Sequence, residues 1–151
     1  MSKIGTDIDP DLIFTFFNEI GIVSQLSSAL LAAVLPDGVH PSHFAILNHL
    51  TRMGDGKTPV QIAGAMQVTK ATMTHSLQVL STRGFVHIEQ SLTDARSKNV
   101  WLTDEGRAFR NDAIVAVVAK FQAIITPELC EQMAMALPPL QTIRKVLDDN
   151  R

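Results

Sequence analysis

Apolar residues in the first quarter of the chain recur at helical spacing. Phe14, Phe17, Ile20, Val23, Leu26, Leu30, Leu31 and Val34 fall near i, i+3, i+4 positions between Pro10 and about Leu35, which predicts a long helix. At about 100° per residue the apolar positions sweep an arc of roughly 200°, widened further by Ile22 and Leu26. A helix facing one core needs a narrower stripe, so a second buried face is expected. Residues 1–10 read as a frayed arm. Pro36, Asp37 and Gly38 break the pattern, and a second helix follows from about Pro41 to Arg52 with Phe44, Ile46, Leu47 and Leu50 apolar.

Met53 to Lys57, with two glycines, reads as a turn. Thr58, Pro59 and Gln61 then form a strong helix start: an N-cap, a proline at the first helical position and the partner of a capping box. That helix is short and ends near Met66 and Gln67. Gln67 and Val68 make a tight turn in which Val68 is expected to point into the core. Thr69 caps the next helix, which turns Met73, Leu77 and Leu80 inward and stops at Gly84, a left-handed terminus.

After Gly84 the period changes to two. Phe85–Gln90 alternates, Ser91–Asn99 is a polar turn, and Val100–Leu102 resumes as a strand, giving a β-hairpin with an extended charged tip. Thr103 caps a long helix running through Phe109, Ile114, Val117, Val118, Phe121 and Ile125. Thr126, Pro127 and Glu128 open a last helical region, which Pro138 and Pro139 are expected to break or kink, the second proline starting a final segment that ends near Asp149. The predicted fold is mainly α with a small β-hairpin wing: two helices joined by a tight turn and followed by a hairpin make a winged helix-turn-helix.

Composition narrows the class. The 151 residues suit one domain, 46% are hydrophobic and 19% charged, and that balance excludes an intrinsically disordered chain. No apolar run reaches about 18 residues, so a membrane partner is not expected. The polar, acidic N-terminus does not read as a secretory signal. A single cysteine, Cys130, cannot form an internal disulfide, which points to a reducing cytoplasm.

The net charge of −2 argues against a nucleic-acid partner until its distribution is considered. Residues 52–110 hold eight basic and five acidic side chains, a net of +3, and the remainder of the chain is −5. A basic middle between acidic ends is a local electrostatic footprint. Within it, Ile62–His75 has helix-turn-helix spacing: Ala63 is small enough for close helix approach, and Thr69 begins the second helix. The N-terminal end of such a helix enters the major groove, where its dipole and free N–H groups favour a phosphate. Thr69, Lys70, Ala71, Thr72, Thr74, His75 and Gln78 then face outward. Hydroxyls, an amide and an imidazole read base edges, and Lys70 reaches phosphate or guanine.

The hairpin tip reads Ser91-Leu92-Thr93-Asp94-Ala95-Arg96-Ser97-Lys98-Asn99, followed by Val100-Trp101-Leu102-Thr103-Asp104-Glu105-Gly106-Arg107. This D-x-R-x-K tip followed by L-T-x-x-G-R resembles the MarR family of bacterial transcriptional regulators, and the preceding Ile62–Val86 block resembles the same family's helix-turn-helix, including its final R-G-F-V. The resemblance covers about 45 continuous residues. It implies one MarR-like domain over residues 1–151, with dimerisation helices at 11–35 and 104–149 and a winged helix-turn-helix at 40–102. It further implies a sequence-specific repressor that binds a pseudo-palindromic double-stranded DNA operator as a homodimer and is released by a small effector, often an aromatic or phenolic acid. Carried over residue by residue, Arg96 matches the wing arginine that enters the minor groove and Asp94 the aspartate that holds it. Lys98 is then a phosphate contact, and Ser97 lies between them. Thr74, His75 and Gln78 stand where many relatives carry an arginine. The competing reading is a winged-helix protein–protein adaptor without DNA binding.

Other motifs lead nowhere. Gly56-Lys57-Thr58 resembles the end of a phosphate-binding P-loop, but Thr51 stands where that motif needs glycine and a helix precedes it instead of a strand. His40, His43 and His49 lack a second set of ligands and read as surface or cap histidines; no metal or cofactor is expected. Cys130 reads as a small buried apolar residue. No spacing for an activated nucleophile or an acid–base pair is present, so no enzyme is expected.

Overall fold

A computed structural model describes residues 8–151. The element order is α1 (Pro10–Ala32), α2 (Pro41–Met53), α3 (Pro59–Met66), α4 (Lys70–Thr82), β1 (Val86–Gln90), β2 (Lys98–Leu102), α5 (Asp104–Gln122) and α6 (Pro127–Asp149). The mainly helical fold with a hairpin wing is the one the periodicities predict. Two compact units divide the chain inside α5, one reaching Ile114 and the other spanning Val115–Arg151. The arm expected over residues 1–10 lies mostly outside the described residues.

In the first unit, local chemistry sets the helix ends. Asp9 caps α1, its Oδ1 accepting from the N–H groups of Asp11 at 3.0 Å and Leu12 at 3.2 Å. The capping box at α3 is present as read: the Thr58 N–H donates to Gln61 Oε1 at 2.9 Å and the Gln61 N–H to Thr58 Oγ1 at 3.2 Å. A second box opens α2 in the capping role read for these histidines, with His43 Nδ1 accepting from the His40 N–H at 3.0 Å. The core gathers Ile46, Leu47 and Leu50 of α2, Ile62 and Ala63 of α3, Met73, Leu77 and Leu80 of α4, and Val86, Val100 and Leu102 of the hairpin. The small Ala63 is buried at the α3–α4 contact as expected.

Val68 departs from expectation. Gln67 takes a left-handed conformation, with φ 54°, and the Val68 N–H reaches back to the Ala63 carbonyl at 3.1 Å. That Schellman-type closure turns the Val68 side chain outward, and it is 40% exposed. The core beneath the turn is filled by Ile62, Ala63 and Met73 instead.

β1 and β2 pair antiparallel in the register Val86↔Leu102 through Gln90↔Lys98. Lys98 and Asn99, read as part of the turn, are strand residues, and the tip is closed earlier by a Ser91 N–H to Ser97 carbonyl bond of 2.9 Å. The glycine-rich segment after α2 is also more than a turn. The Gly56 N–H donates to the Val100 carbonyl and the Val100 N–H to the Lys57 carbonyl, each at 2.9 Å, so a bridge extends the sheet by one edge. Gly56 sits at φ 76°, and a Cβ there would meet the Trp101 ring at 2.9 Å. Glycine is required at this position by both conformation and space.

In the second unit, Thr126 Oγ1 caps α6 by accepting from the Leu129 N–H at 3.2 Å. The prolines do not break the helix: Pro138 and Pro139 both lie inside a single helix ending at Asp149, with no new segment starting at Pro139. Each proline forfeits one hydrogen bond, and because the surrounding residues are exposed, the carbonyls left without an N–H partner can be solvated by water. Cys130, expected to be buried, is exposed, since α6 has no buried residue.

Candidate nucleic-acid interface

Helix α4 buries Met73, Ser76, Leu77 and Leu80, and that stripe fixes the rest of its surface. Thr69, Lys70, Ala71, Thr72, Thr74, His75 and Gln78 are all exposed, as the 3.6-residue period requires. Thr69 Oγ1 accepts from the Thr72 N–H at 3.1 Å and donates to Thr72 Oγ1 at 2.9 Å. The Lys70 and Ala71 N–H groups of the first turn have no partner among the described residues, which leaves donors and the positive dipole end facing outward. Thr74 donates its hydroxyl to the Lys70 carbonyl at 2.9 Å, so its oxygen is left to accept.

The wing tip is ordered by Asp94. Its Oδ1 accepts from the Arg96 N–H at 2.9 Å, and its carbonyl accepts from the Ser97 N–H at 3.0 Å. Asp94 therefore holds Arg96 through the backbone, and the Arg96 guanidinium forms no ion pair among the described residues. Ser97 is partly buried and closes the tip, whereas Asp94, Arg96 and Lys98 are exposed.

Between α4 and the wing lies an open groove of about 750 Å³, lined by Lys70, Thr74 and Gln78 on one side and Arg96, Ser97 and Lys98 on the other. Three cations against the single carboxylate of Glu89 give the groove a positive field suited to a polyanion. Thr69, Ala71, Thr72, His75 and Asp94 lie outside its lining. Sequence reasoning missed Pro59, Val60, Ser81 and Gln90, which also line it. For Gln90 the signal was available: strand alternation puts it on the same face as Val86 and Ile88.

Outside the groove, His40, His43 and His75 are grouped between α2 and α4. His43 is buried and its pKa is held below the ordinary 6.5, first by burial and then by the charges of His40, His75 and Arg83. The Arg83 guanidinium donates to the Asp37 carbonyl and so ties the end of α4 to the segment before α2. Among the described residues no three His, Cys, Asp or Glu side chains are grouped to hold a metal. No helix there is long and apolar enough to cross a membrane.

A short helix, a left-handed turn, an outward-facing second helix and a hairpin beside it define a winged helix-turn-helix protein. Residues 37–97 match the model of the MarR family. Across 96% of this chain and 87% of the relative, 147 residues are 27% identical to the HTH-type transcriptional regulator PecS of Dickeya dadantii (strain 3937). A cysteine-to-serine mutant of MarR from E. coli has the same fold, with a TM-score of 0.72, 20% identity and coverage of 90% of this chain and 99% of that one. The same mutant complexed with operator DNA superposes at 0.63 with 21% identity, covering 88% and 99%. BpsR of Bordetella bronchiseptica, described with the regulation of its DNA binding by 6-hydroxynicotinic acid, superposes at 0.64 with 18% identity over 84% and 98%. The MarR-family match thus falls on the helix-turn-helix and the first part of the wing, and the chain as a whole is similar to a transcriptional regulator and shares the fold of MarR.

Proposed function

We propose that the chain is a ligand-responsive repressor that binds a pseudo-palindromic DNA operator as a homodimer. The observation that carries the DNA reading is the cationic groove flanked by α4 and the wing. In this reading the first turn of α4 enters a major groove, with Thr69, Lys70, Ala71, Thr72, Thr74, His75 and Gln78 reading base edges and phosphates. Arg96, set by Asp94, enters the adjacent minor groove, and Ser97 and Lys98 meet the backbone. Residues 40–102 form the DNA-binding region. The helical segments 11–35 and 104–149 form the subunit interface, which is supported by the absence of any buried residue from α1 and α6. The operator complex of E. coli MarR supports duplex DNA as the partner. The regulation of BpsR by 6-hydroxynicotinic acid supports a small aromatic effector. The cytoplasm is the matching compartment.

A mobility-shift titration on the DNA upstream of the protein's own coding region tests this. Saturable binding that weakens steeply with salt is expected, and Arg96→Ala should cost about 1–3 kcal/mol. Binding that is absent, or indifferent to both salt and Arg96, overturns the DNA reading.

A further inference from the structure

The peptide unit joining Ala95 to Arg96 is held at both of its polar atoms by side chains. Its N–H, on Arg96, donates to Asp94 Oδ1 at 2.9 Å. Its carbonyl, on Ala95, accepts from Gln90 Nε2. A peptide group is planar, so fixing both ends fixes the plane from which the Arg96 side chain departs. Asp94 fixes one end of that plane, and the Ser97 N–H to Asp94 carbonyl bond closes the turn around it without engaging the Ala95 carbonyl. Gln90 is the last residue of β1 and pairs with Lys98, so its amide rises from the paired strand and not from the tip it braces. The tip has little else to hold it. Leu92 is fully exposed, and the other bonds there are the Ser91–Ser97 closure, the Ser97 N–H to Asp94 carbonyl bond and the contacts of Ser91 Oγ with Thr93 and Asp94.

From this geometry we infer that Gln90 is a positioning residue for DNA recognition, acting through Arg96 by orienting the 95–96 peptide unit. The inference rests on the wing reading above and adds a residue to it. Gln90 lines the same groove as Arg96 and Lys98, so the brace and the cations it serves share one face. A methionine at this position keeps the length and flexibility of the side chain but has no donor.

The test is a double-mutant cycle on the full-length protein, with DNA affinity measured on a fixed operator fragment at fixed salt. Gln90→Met is expected to weaken binding about fivefold, the size of one net hydrogen bond, and to have no effect in the Arg96→Ala background. It should also speed hydrogen exchange at the Arg96 amide. An equal loss in both backgrounds overturns the inference by showing that Gln90 acts independently of Arg96. No loss in the wild-type background overturns it too, and leaves the wing reading intact if Arg96→Ala still weakens binding. If Arg96→Ala binds like wild type, the wing reading and the brace fail together.

Discussion

Replacing Gly106 by alanine should destabilise the protein although alanine is the better helix former. Gly106 is a buried residue in the first turn of α5. A Cβ built there lies 2.0 Å from the Phe85 carbonyl oxygen, 2.9 Å from the Phe85 carbonyl carbon and 3.0 Å from Leu102 Cδ1. An ordinary carbon–oxygen contact is about 3.3–3.6 Å, so helix and backbone must separate by more than about 1 Å. Three bonds are anchored at this point. The Thr103 N–H donates to the Phe85 carbonyl at 3.2 Å, Thr103 Oγ1 donates to the Gly84 carbonyl at 2.6 Å, and the Gly106 N–H donates to Thr103 Oγ1 at 3.0 Å. The Phe85–Phe109 stack, with centroids 4.2 Å apart, spans the same seam. Overpacking costs about 1–3 kcal/mol and each weakened hydrogen bond about 0.5–1.5 kcal/mol. The helix-propensity gain returns about 1 kcal/mol. With all three bonds weakened the net loss is about 1.5–6.5 kcal/mol. Gly64→Ala is the control: Gly64 is also helical, and a Cβ there meets nothing within 4 Å, so that variant should gain about 0.5–1 kcal/mol. Urea denaturation at fixed protein concentration reads both, the midpoints moving in opposite directions with unchanged slope. A Gly106→Ala midpoint at or above wild type refutes the packing argument.

Two further outcomes follow from the structure. Because burial holds the His43 pKa below the ordinary 6.5 in the native state, the unfolded chain binds that proton more readily. This contribution to stability is therefore intact above about pH 6.5 and lost as pH falls from there through the lower folded value. His43→Asn, which leaves an acceptor near the His40 N–H but does not titrate, should flatten the pH dependence of the urea midpoint in that window; a wild-type midpoint that is level from pH 7.5 to 5 contradicts it. Phe14 is 72% exposed on α1, and Phe14→Asp should shift the mass seen by light scattering at micromolar concentration from dimer toward monomer, whereas a monomeric wild-type protein would remove the homodimer from the proposal.

What the sequence disclosed and what it hid divide by the range of the physics involved. The capping box of Thr58 and Gln61, the Thr69 cap and the left-handed Gly84 depend on residues within four positions of each other, and they were legible. So was the outward set on α4, because Met73, Leu77 and Leu80 declare the buried face and the helical period places everything else. Val68 was misread because an apolar residue in a turn has no period to follow, and the choice was made by the left-handed Gln67 beside it. The Gly56–Val100 and Lys57–Val100 bonds join segments more than 40 residues apart, beyond any local pattern. The same limit applies within the site. Strand parity puts Gln90 on the groove side, yet only the closure of the tip at Ser97, two residues short of the expected turn, brings the Ala95 carbonyl within reach of its amide. The apolar excess of α1 is the opposite case. The sequence anticipated a second buried face, and the single chain leaves Leu12, Phe14, Val23 and Leu26 at least 61% exposed. Several large side chains exposed together on one helix are costly in water at about 25 cal/mol per Å² of apolar surface. A second copy of α1 is the surface that would relieve that cost, and that is why the Phe14 variant tests the assembly directly.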